Sequence, residues 1–308
     1  MSFFYFYLQN IMETILLAGG TGLIGKELSL KLKNEGYNVR ILSRQKSNYT
    51  KGFYNWDPYK SYIDPEALKN VDIIINLVGE GIADKKWTNE RKKALIDSRV
   101  IPTNFLYESF KNTTSLKQYI SASGINCYGY DNYDKKYTEE DMFGNDFLSQ
   151  VVEKWENAAN QFKNICLVSK LRISVVLTPH GGAFPKIAQP IKLYAGATLG
   201  TGKQWMPWIS MEDLLRMFIF VAQNKLEGTF NALANTDTNK KFTQELAFFL
   251  KKPLFLPNVP AFILRLFLGE MSTVILEGLQ ASNDKIKNKG FTFKHNNLQD
   301  AFKNLGKF

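Results

Sequence analysis

The sequence predicts an α/β protein with a doubly wound parallel sheet. Short apolar runs that are typical of buried parallel strands alternate with amphipathic stretches of helical spacing. The first apolar run leads directly into a glycine-rich turn, and a second strand then completes a βαβ unit of about thirty residues. A chain of 308 residues is long enough for one large domain, or for a large domain and a small one.

The first unit is the best defined. Residues 14–18 read as the first strand, and residues 19–25 form the glycine-rich turn. An amphipathic helix with apolar residues at Ile24, Leu28 and Leu32 follows, and it ends at Gly36 as a helix with a glycine cap does. Residues 38–42 form the second strand.

The alternation then continues along the chain. Further strands are predicted at residues 71–77, 118–122, 165–176 and 228–232. Further helices are predicted at residues 87–111, 146–162 and 211–224, and we expect Pro102 to kink or restart the first of them. Residues 180–202 have no clear period and read as an irregular excursion over the open side of the sheet. Strands alternating with helices in this way favour a doubly wound sheet.

The predicted domains follow from this pattern. We expect residues 1–11 to be an N-terminal extension and residues 12–178 with 205–235 to form the sheet domain. Residues 179–204 with 236–308 form a smaller, mainly helical C-terminal lobe on the substrate side. From Lys240 onward, short helices are separated by prolines and by Gly269.

The composition of the chain limits the kinds of partner that the protein is expected to bind. The formal charge of +10 comes from scattered lysines without a recognised nucleic-acid motif, so we expect no nucleic-acid partner. No apolar segment has the length of a membrane span, so we expect no membrane partner. Cys127 and Cys166 make no disulfide framework, which favours a reducing, cytoplasmic location. Two distant histidines have no metal-ligand spacing, so no metal is expected.

The glycine turn has the context of a dinucleotide-binding site, because a strand precedes it and a helix follows it. Its first glycine permits a tight exit from the strand, its middle glycine lets the backbone approach a pyrophosphate, and its last lets helix and strand pack closely. The helix N-terminus then offers free N–H groups to the anion. The predicted cofactor contacts are Gly19, Gly20, Thr21, Gly22, Leu23, Ile24 and Gly25.

The end of the second strand selects the cofactor. NAD-selective proteins place an acidic residue there to accept a hydrogen bond from the ribose 2′-hydroxyl. This chain has Ser43 and Arg44 instead, a hydroxyl and a guanidinium that suit a 2′-phosphate. The sequence therefore predicts NADP(H).

Several longer strings carry a family resemblance. They are Asn55-Trp-Asp-Pro58, Asn76-Leu-Val-Gly-Glu80, Ile82-Ala-Asp-Lys-Lys-Trp-Thr88, Asp97-Ser-Arg-Val100, Gly144-Asn-Asp-Phe-Leu148 with Trp155-Glu156, Gly200-Thr-Gly-Lys-Gln-Trp-Met-Pro-Trp-Ile209, and Leu268-Gly-Glu-Met271. With them the chain resembles the atypical short-chain dehydrogenase/reductases of the NAD-dependent epimerase/dehydratase type, which have a small C-terminal domain of unassigned function. The resemblance implies a Rossmann fold that binds NADP(H). It also implies cofactor contacts from Trp56, Asn76, Leu77, Val78, Gly79 and Glu80.

The catalytic residues depart from the ordinary pattern of this superfamily. Ordinary short-chain dehydrogenases use a tyrosine, a lysine four residues later and a serine. On the helix where the pair should lie, this chain has Phe147 and Val151, and neither can transfer a proton. Ser123 ends the strand that carries the serine, and Tyr128 is a displaced acid candidate. The family usually has a second tyrosine where Cys127 stands.

The remaining site prediction concerns the substrate pocket, which Gln204, Trp205 and Trp208 are expected to shape.

The sequence leaves two functions open. The first is an NADP(H)-dependent oxidoreductase or epimerase/dehydratase-like enzyme that acts on a small carbonyl or sugar-like substrate. The second is a catalytically inactive NADP(H)-binding sensor or scaffold. A homodimer is compatible with the sequence, since dimers are common in this superfamily.

Overall fold

The computed structural model of the chain describes residues 12–130 and 134–306. The predicted extension, residues 1–11, lies outside the described residues. Within them the strands are β1 Thr14–Ala18, β2 Asn38–Ser43, β3 Phe53–Asp57, β4 Tyr62–Ile63, β5 Ile73–Asn76, β6 Gln118–Gly124, β7 Lys136–Tyr137, β8 Leu167–Ile173, β9 Val175–Leu177, β10 Trp205–Ser210, β11 Gly228–Ala232, β12 Asn235–Thr238 and β13 Gln280–Ala281.

The described residues also form the following helices. They are α1 Leu23–Asn34, α2 Pro65–Leu68, α3 Asn89–Phe110, α4 Phe147–Asn160, α5 Ala183–Lys192, α6 Met211–Gln223, α7 Asn239–Phe249, α8 Ala261–Leu268, α9 Thr273–Leu276, α10 Asp284–Asn288 and α11 Leu298–Asn304. No helix of the described residues is both long and apolar enough to cross a membrane.

The large sheet has eight strands in the order β11-β8-β6-β5-β1-β2-β3-β4. Its neighbouring strands are parallel except for β3 and β4, which are antiparallel. The chain builds outward from β1 through β2 and then returns to place β5 on the other side of β1. The order reverses between β1 and β5, and ligands of such sheets bind at the carboxyl ends of the strands there. The predicted doubly wound parallel sheet is confirmed.

Residues of β1 alternate between the two faces of the sheet. Ile15 and Leu17 belong to one buried cluster, which also holds residues of α1 and α6. Leu16 and Ala18 belong to another cluster, with Leu106 of α3. Side chains of a strand point to opposite faces with a period of two, so a strand buried on both faces reads as a continuous apolar run.

Three local predictions differ from the structure in part. Residues 180–202 are not wholly irregular, because they contain helix α5. Helix α3 continues through the buried Pro102 and does not restart there, because packing against the sheet outweighs the hydrogen bond that a proline cannot make; the alternative of a kink stays a prediction. The strand predicted at residues 165–176 is divided at Ser174, whose hydroxyl donates to the Ala232 carbonyl at 2.9 Å. The chain passes there from the large sheet into a smaller one.

The smaller sheets belong to the remaining part of the chain. Strand β10 pairs with β9 in parallel and with β12 in antiparallel fashion. Strand β13 pairs with β7. The short helices after α7 are those expected from the sequence, and the exact division into two domains stays a prediction.

Candidate functional site

The glycine-rich turn joins β1 to α1 and leaves no space for a side chain at Gly20 or Gly25. Gly19 has a φ of +81°, a backbone conformation that favours glycine. A Cβ atom on Gly25 would clash with the Gly19 carbonyl oxygen and lie 2.6 Å from the Gly20 Cα. A Cβ on Gly20 would lie 2.7 Å from Ile41 Cγ2 of β2. Glycine is therefore required for the close helix–strand packing that the sequence predicts.

The N-terminus of α1 is left open for an anion. Gly22 is the N-cap residue, no side chain caps it, and the first turn contains no acidic residue. The Gly22 N–H donates to the Gly19 carbonyl at 3.0 Å, which closes the turn. A helix start with free N–H groups and a positive dipole end binds phosphate oxygens well. This turn therefore fits the pyrophosphate of a dinucleotide.

The end of β2 places a cation at the adjacent edge. Ser43 is buried, and its hydroxyl accepts a hydrogen bond from the Gln45 N–H at 3.0 Å. Arg44 is exposed and makes no ion pair with any carboxylate of the described residues. Trp56 on β3 lies inside the core at 4% exposure. The roles predicted for these three residues stay predictions, with only Arg44 presenting a solvent-facing charged group.

The loop after β5 lies against the glycine turn. The Leu77 N–H donates to the Ala18 carbonyl at 2.9 Å. Asn76 is fully buried, and its amide donates to the Tyr119 hydroxyl at 2.8 Å while its carbonyl accepts from the Val78 N–H at 3.1 Å. Asn76 therefore holds the loop in place from below, and the backbone of the loop faces the turn.

Helix α3 holds the next two residues of this loop. The Ser98 hydroxyl accepts from the Glu80 N–H at 3.2 Å, and Arg99 donates to the Glu80 carbonyl at 2.9 Å. The Glu80 carboxylate pairs with Arg91. The position of Gly79 and Glu80 at the strand ends is thus set by polar side chains of α3, a contribution that motif reading did not identify.

The two predicted catalytic residues belong to one buried network. The Ser123 hydroxyl donates to Glu156 Oε1 at 2.6 Å, and Arg172 Nε donates to the same oxygen at 2.8 Å. Arg172 also donates to the Tyr128 hydroxyl at 2.9 Å, and that hydroxyl donates to Asn231 Oδ1 at 2.7 Å. The network joins α4 to strands β6, β8 and β11.

Both hydroxyl protons are therefore engaged. Ser123 is 4% exposed and Tyr128 is 2% exposed. Burial raises the pKa of Tyr128 above its ordinary value, so the hydroxyl stays protonated at neutral pH. In this geometry the two residues stabilise the junction of α4 with the sheet, and their predicted catalytic roles stay predictions.

Sequence reasoning missed the partners in this network. Glu156 stands in one of the family strings, but the sequence did not predict a role for Arg172 or Asn231. A signal was present, because Lys170 and Arg172 alternate inside an otherwise apolar strand, where charged residues are rarely buried without partners. Lys170 lies 3.2 Å from Glu156 Oε2, so one carboxylate faces two cations.

A cation also lies near the face of α4 where ordinary short-chain dehydrogenases carry the catalytic tyrosine. Phe147 is in edge contact with Trp87, with ring centroids 5.0 Å apart. The Lys92 ammonium lies 5.0 Å from the centroid of the Phe147 ring. The same ammonium lies 2.5 Å from the Oε2 atom of Glu270, which belongs to the C-terminal region. Lys92 and Glu270 are thus brought together at this position, although Glu270 stands in a family string and the sequence predicted no contact between the two.

The Tyr-x-x-x-Lys spacing does occur once, at Tyr107 and Lys111 near the end of α3. Tyr107 is in edge contact with Phe162, and Lys111 pairs with Glu108 at 2.6 Å. The helix runs antiparallel to the strands, so its C-terminal end lies away from the strand ends that hold the glycine turn. This pair is therefore structural.

The residues predicted to shape the substrate pocket are mostly internal. Trp208 is fully buried, and its indole N–H donates to Asp237 Oδ2 at 2.8 Å. Gln204 is 4% exposed, and its amide donates to the carbonyls of Leu199 and Ile275 at 3.0 and 3.1 Å. Trp205 is half-buried on the same strand. Gln204 joins the segment around Leu199 to α9, and a substrate role for the three residues stays a prediction.

No group of three His, Cys, Asp or Glu side chains in the described ranges could hold a metal ion. Two cavities, of about 290 Å³ and 590 Å³, lie away from the glycine turn. The first is lined by residues of α1, α6 and the C-terminal segment, and the second by residues near β12 and the C-terminal segment, with Phe291 lining both. The glycine turn, with its uncapped helix start, is the feature that fits the phosphates of a nucleotide.

Comparison with known proteins agrees with this geometry. Residues 15–232 match the NAD dependent epimerase/dehydratase family, and residues 259–305 match a domain of unknown function, DUF1731. An epimerase family protein of Staphylococcus aureus (strain MRSA252) is 36% identical over 302 residues, which cover 96% of this chain and 99% of that protein.

Two solved structures are also similar. The human epimerase family protein SDR39U1 (isoform 2), solved with NADPH, is 27% identical with a TM-score of 0.85, covering 95% of this chain and 98% of that one. A nucleoside-diphosphate sugar epimerase from Corynebacterium glutamicum is 27% identical with a TM-score of 0.78, covering 96% of this chain and 58% of the other. The chain therefore belongs to the NAD dependent epimerase/dehydratase family and carries the C-terminal DUF1731 domain.

Proposed function

We propose that this protein is an NADP(H)-dependent oxidoreductase or epimerase/dehydratase-like enzyme that acts on a small carbonyl or sugar-like substrate. The observation that carries the proposal is the open N-terminus of α1 over the glycine turn, with exposed Arg44 nearby at the end of β2. An arginine at that place suits a 2′-phosphate better than a ribose hydroxyl. The NADPH in the human relative supports the same choice.

The proposed partner is a small molecule, and the proposed location is the reducing cytoplasm. A homodimer is compatible with this proposal, as it is with the sequence. Both cysteines are free in the described structure, which supports a reducing compartment. Neither a nucleic acid nor a membrane is proposed as a partner.

The cofactor is tested by titrating purified protein with NADPH and with NADH while following nicotinamide fluorescence. Arg44→Ala is compared with Lys46→Ala, which removes another exposed cation two residues away. Loss of a charge-assisted contact to phosphate weakens binding by about tenfold or more. We expect that loss for NADPH in Arg44→Ala only, with NADH binding unchanged.

Other outcomes correct the proposal in defined ways. Equal affinity of the wild-type protein for NADPH and NADH removes Arg44 from the argument. Absence of binding to either nucleotide makes the glycine turn structural and overturns the enzyme proposal. If binding is intact, a panel of carbonyl and sugar-nucleotide substrates is assayed for NADPH oxidation or epimerisation.

A second candidate function is a non-catalytic NADP(H)-binding sensor or scaffold. The engaged hydroxyls of Ser123 and Tyr128, with Phe147 and Val151 on α4, favour it. A sensor should change its surface when the nucleotide binds. Limited proteolysis with and without NADPH tests this, and identical fragment patterns together with turnover of any substrate would exclude it.

A further inference from the structure

Arg99 of α3 is a buried cation without a carboxylate partner among the described residues. It is 7% exposed. Its guanidinium donates to the carbonyls of Leu95 and Glu80 at 2.8 and 2.9 Å, and to the Ser98 hydroxyl at 3.3 Å. An arginine has five N–H donors, so donors remain after these bonds. A buried charge without a counter-charge is costly, which points to an anionic or strongly accepting ligand.

The position of Arg99 relates it to the nucleotide site. A Cβ atom on Gly79 would lie 3.1 Å from the Arg99 Cζ, so the guanidinium lies directly beside the backbone of the loop after β5. This loop continues from Leu77, whose N–H donates to the Ala18 carbonyl at 2.9 Å, just before the glycine turn. The cation and the phosphate-binding turn therefore share one edge of the sheet.

Helix α3 also faces the part of α4 where ordinary short-chain dehydrogenases carry tyrosine and lysine. Phe147, Val151 and Trp155 are four residues apart and lie on one face of α4. The Arg99 guanidinium lies 5.1 Å from the centroid of the Trp155 ring, as the Lys92 ammonium lies above Phe147. Val151 stands four residues after Phe147, where ordinary members carry the lysine, and the positive charge absent from that position is present on the opposing helix.

We propose that Arg99 replaces the lysine missing from α4 and binds the nicotinamide half of NADP(H), through its ribose hydroxyls and phosphate oxygens. The proposal rests on the proposed NADP(H) binding. Arg99 binds and positions the ligand and is not an acid or base. Burial lowers its pKa to about 10, which still leaves the guanidinium charged at neutral pH.

A purely structural role is the alternative, in which Arg99 only ties the Gly79–Glu80 loop to α3. The two roles differ in which half of the cofactor they affect. Adenosine 2′,5′-bisphosphate carries the adenosine half and the 2′-phosphate but no nicotinamide. A residue that contacts the nicotinamide half affects NADPH alone, whereas a disordered loop beside the glycine turn affects both ligands.

The experiment measures dissociation constants of NADPH and adenosine 2′,5′-bisphosphate by calorimetry, together with nicotinamide emission. Arg99→Met removes the charge and keeps the length, Arg99→Lys keeps the charge, and Lys93→Met removes an exposed cation of the same helix. For Arg99→Met we expect NADPH binding to weaken about tenfold or more, with an altered emission, since charged hydrogen bonds carry that much affinity. Bisphosphate binding should be unchanged, and Arg99→Lys should recover part of the NADPH affinity.

Three outcomes would overturn the proposal. The first is a folded Arg99→Met variant that binds NADPH as the wild type does. The second is an equal loss of both ligands, which assigns Arg99 a structural role. The third is a wild-type protein that binds neither ligand, which also overturns the proposed function. If Arg99→Met does not fold, Arg99→Lys decides: a loss confined to NADPH supports the proposal, and an equal loss or no loss contradicts it.

Discussion

Replacing Glu156 by glutamine tests the buried network that joins α4 to the sheet. The carboxylate is 2% exposed and accepts hydrogen bonds from Ser123 and Arg172, with Lys170 3.2 Å away. Glutamine keeps the shape but leaves two buried cations without a counter-charge. Removing one partner of a buried ion pair destabilises a protein by about 3–5 kcal/mol.

The assay is thermal and urea denaturation of the wild type, Glu156→Gln and the control Glu153→Gln. Glu153 is exposed on the same helix, so its substitution should change stability little. With about 2–4 °C per kcal/mol for large domains, the expected fall in Tm for Glu156→Gln is roughly 6–20 °C. A loss below about 1 kcal/mol would refute the reasoning, since it would place the pair among weak surface ion pairs.

The same carboxylate predicts a pH dependence. Burial by itself raises the pKa of Glu156, but the hydrogen bonds from Arg172 and the charges of Arg172 and Lys170 together lower it below the ordinary 4.5. The folded-state pKa is therefore below the unfolded one. The resulting stability is fully present above the unfolded pKa, which is the ordinary value of 4.5, and is lost as the pH falls through the folded value. On acidification from neutral pH to below the folded-state pKa of Glu156, the free energy of unfolding should fall less for Glu156→Gln than for the wild type.

Three further predictions follow from other parts of the molecule. Gly25→Ala should lower the free energy of unfolding by about 1–3 kcal/mol, because the added Cβ meets backbone atoms. NADPH should no longer raise the Tm of this variant. A rise in Tm with NADPH equal to that of the wild type would contradict the prediction. Burial raises the pKa of the Cys127 thiol, and it raises the pKa of the Cys166 thiol to about 12. Neither thiol of the folded protein should therefore react with a maleimide at neutral pH, which mass spectrometry of the treated protein would reveal. Trp208→Phe removes a buried donor to Asp237 and should cost about 1–3 kcal/mol in urea unfolding, whereas an unchanged midpoint would refute that role.

Local patterns predicted the first βαβ unit well. Strand β1 has the bounds expected from its apolar run, and β2 begins where predicted. The glycines of the turn follow from contacts over a few residues, because Gly25 meets the backbone of Gly19 and Gly20. Short-range sterics of this kind are readable from spacing alone.

Irregular stretches were predicted less well. Helix α5 was missed because prolines and glycines obscure its period, although Phe184, Ala188 and Ile191 are buried on one face. The restart expected at Pro102 did not occur, since the buried face of α3 outweighs the proline. In both cases packing against the sheet decided the backbone.

The contacts between polar side chains show more clearly what the sequence alone does not predict. Tyr128 and Asn231, which share a hydrogen bond, are separated by 103 residues. Lys92 and Glu270 are separated by 178 residues. No spacing rule relates such pairs, because their proximity depends on strand order and helix direction. Tyr107 and Lys111 illustrate the converse, since the expected spacing is present at a place where the fold gives it no catalytic role.

By itself the sequence determined the alternation of strands and helices, the glycine turn and the place of Arg44, because these depend on neighbouring residues and on a period of two or 3.6. Only the tertiary structure decided that Ser123 and Tyr128 belong to one buried network and that Arg99 lies beside the loop after β5. The physical reason is that burial and pairing of a charged group are set by elements distant in sequence. A polar side chain acquires its role from the partners that the fold brings within hydrogen-bonding distance.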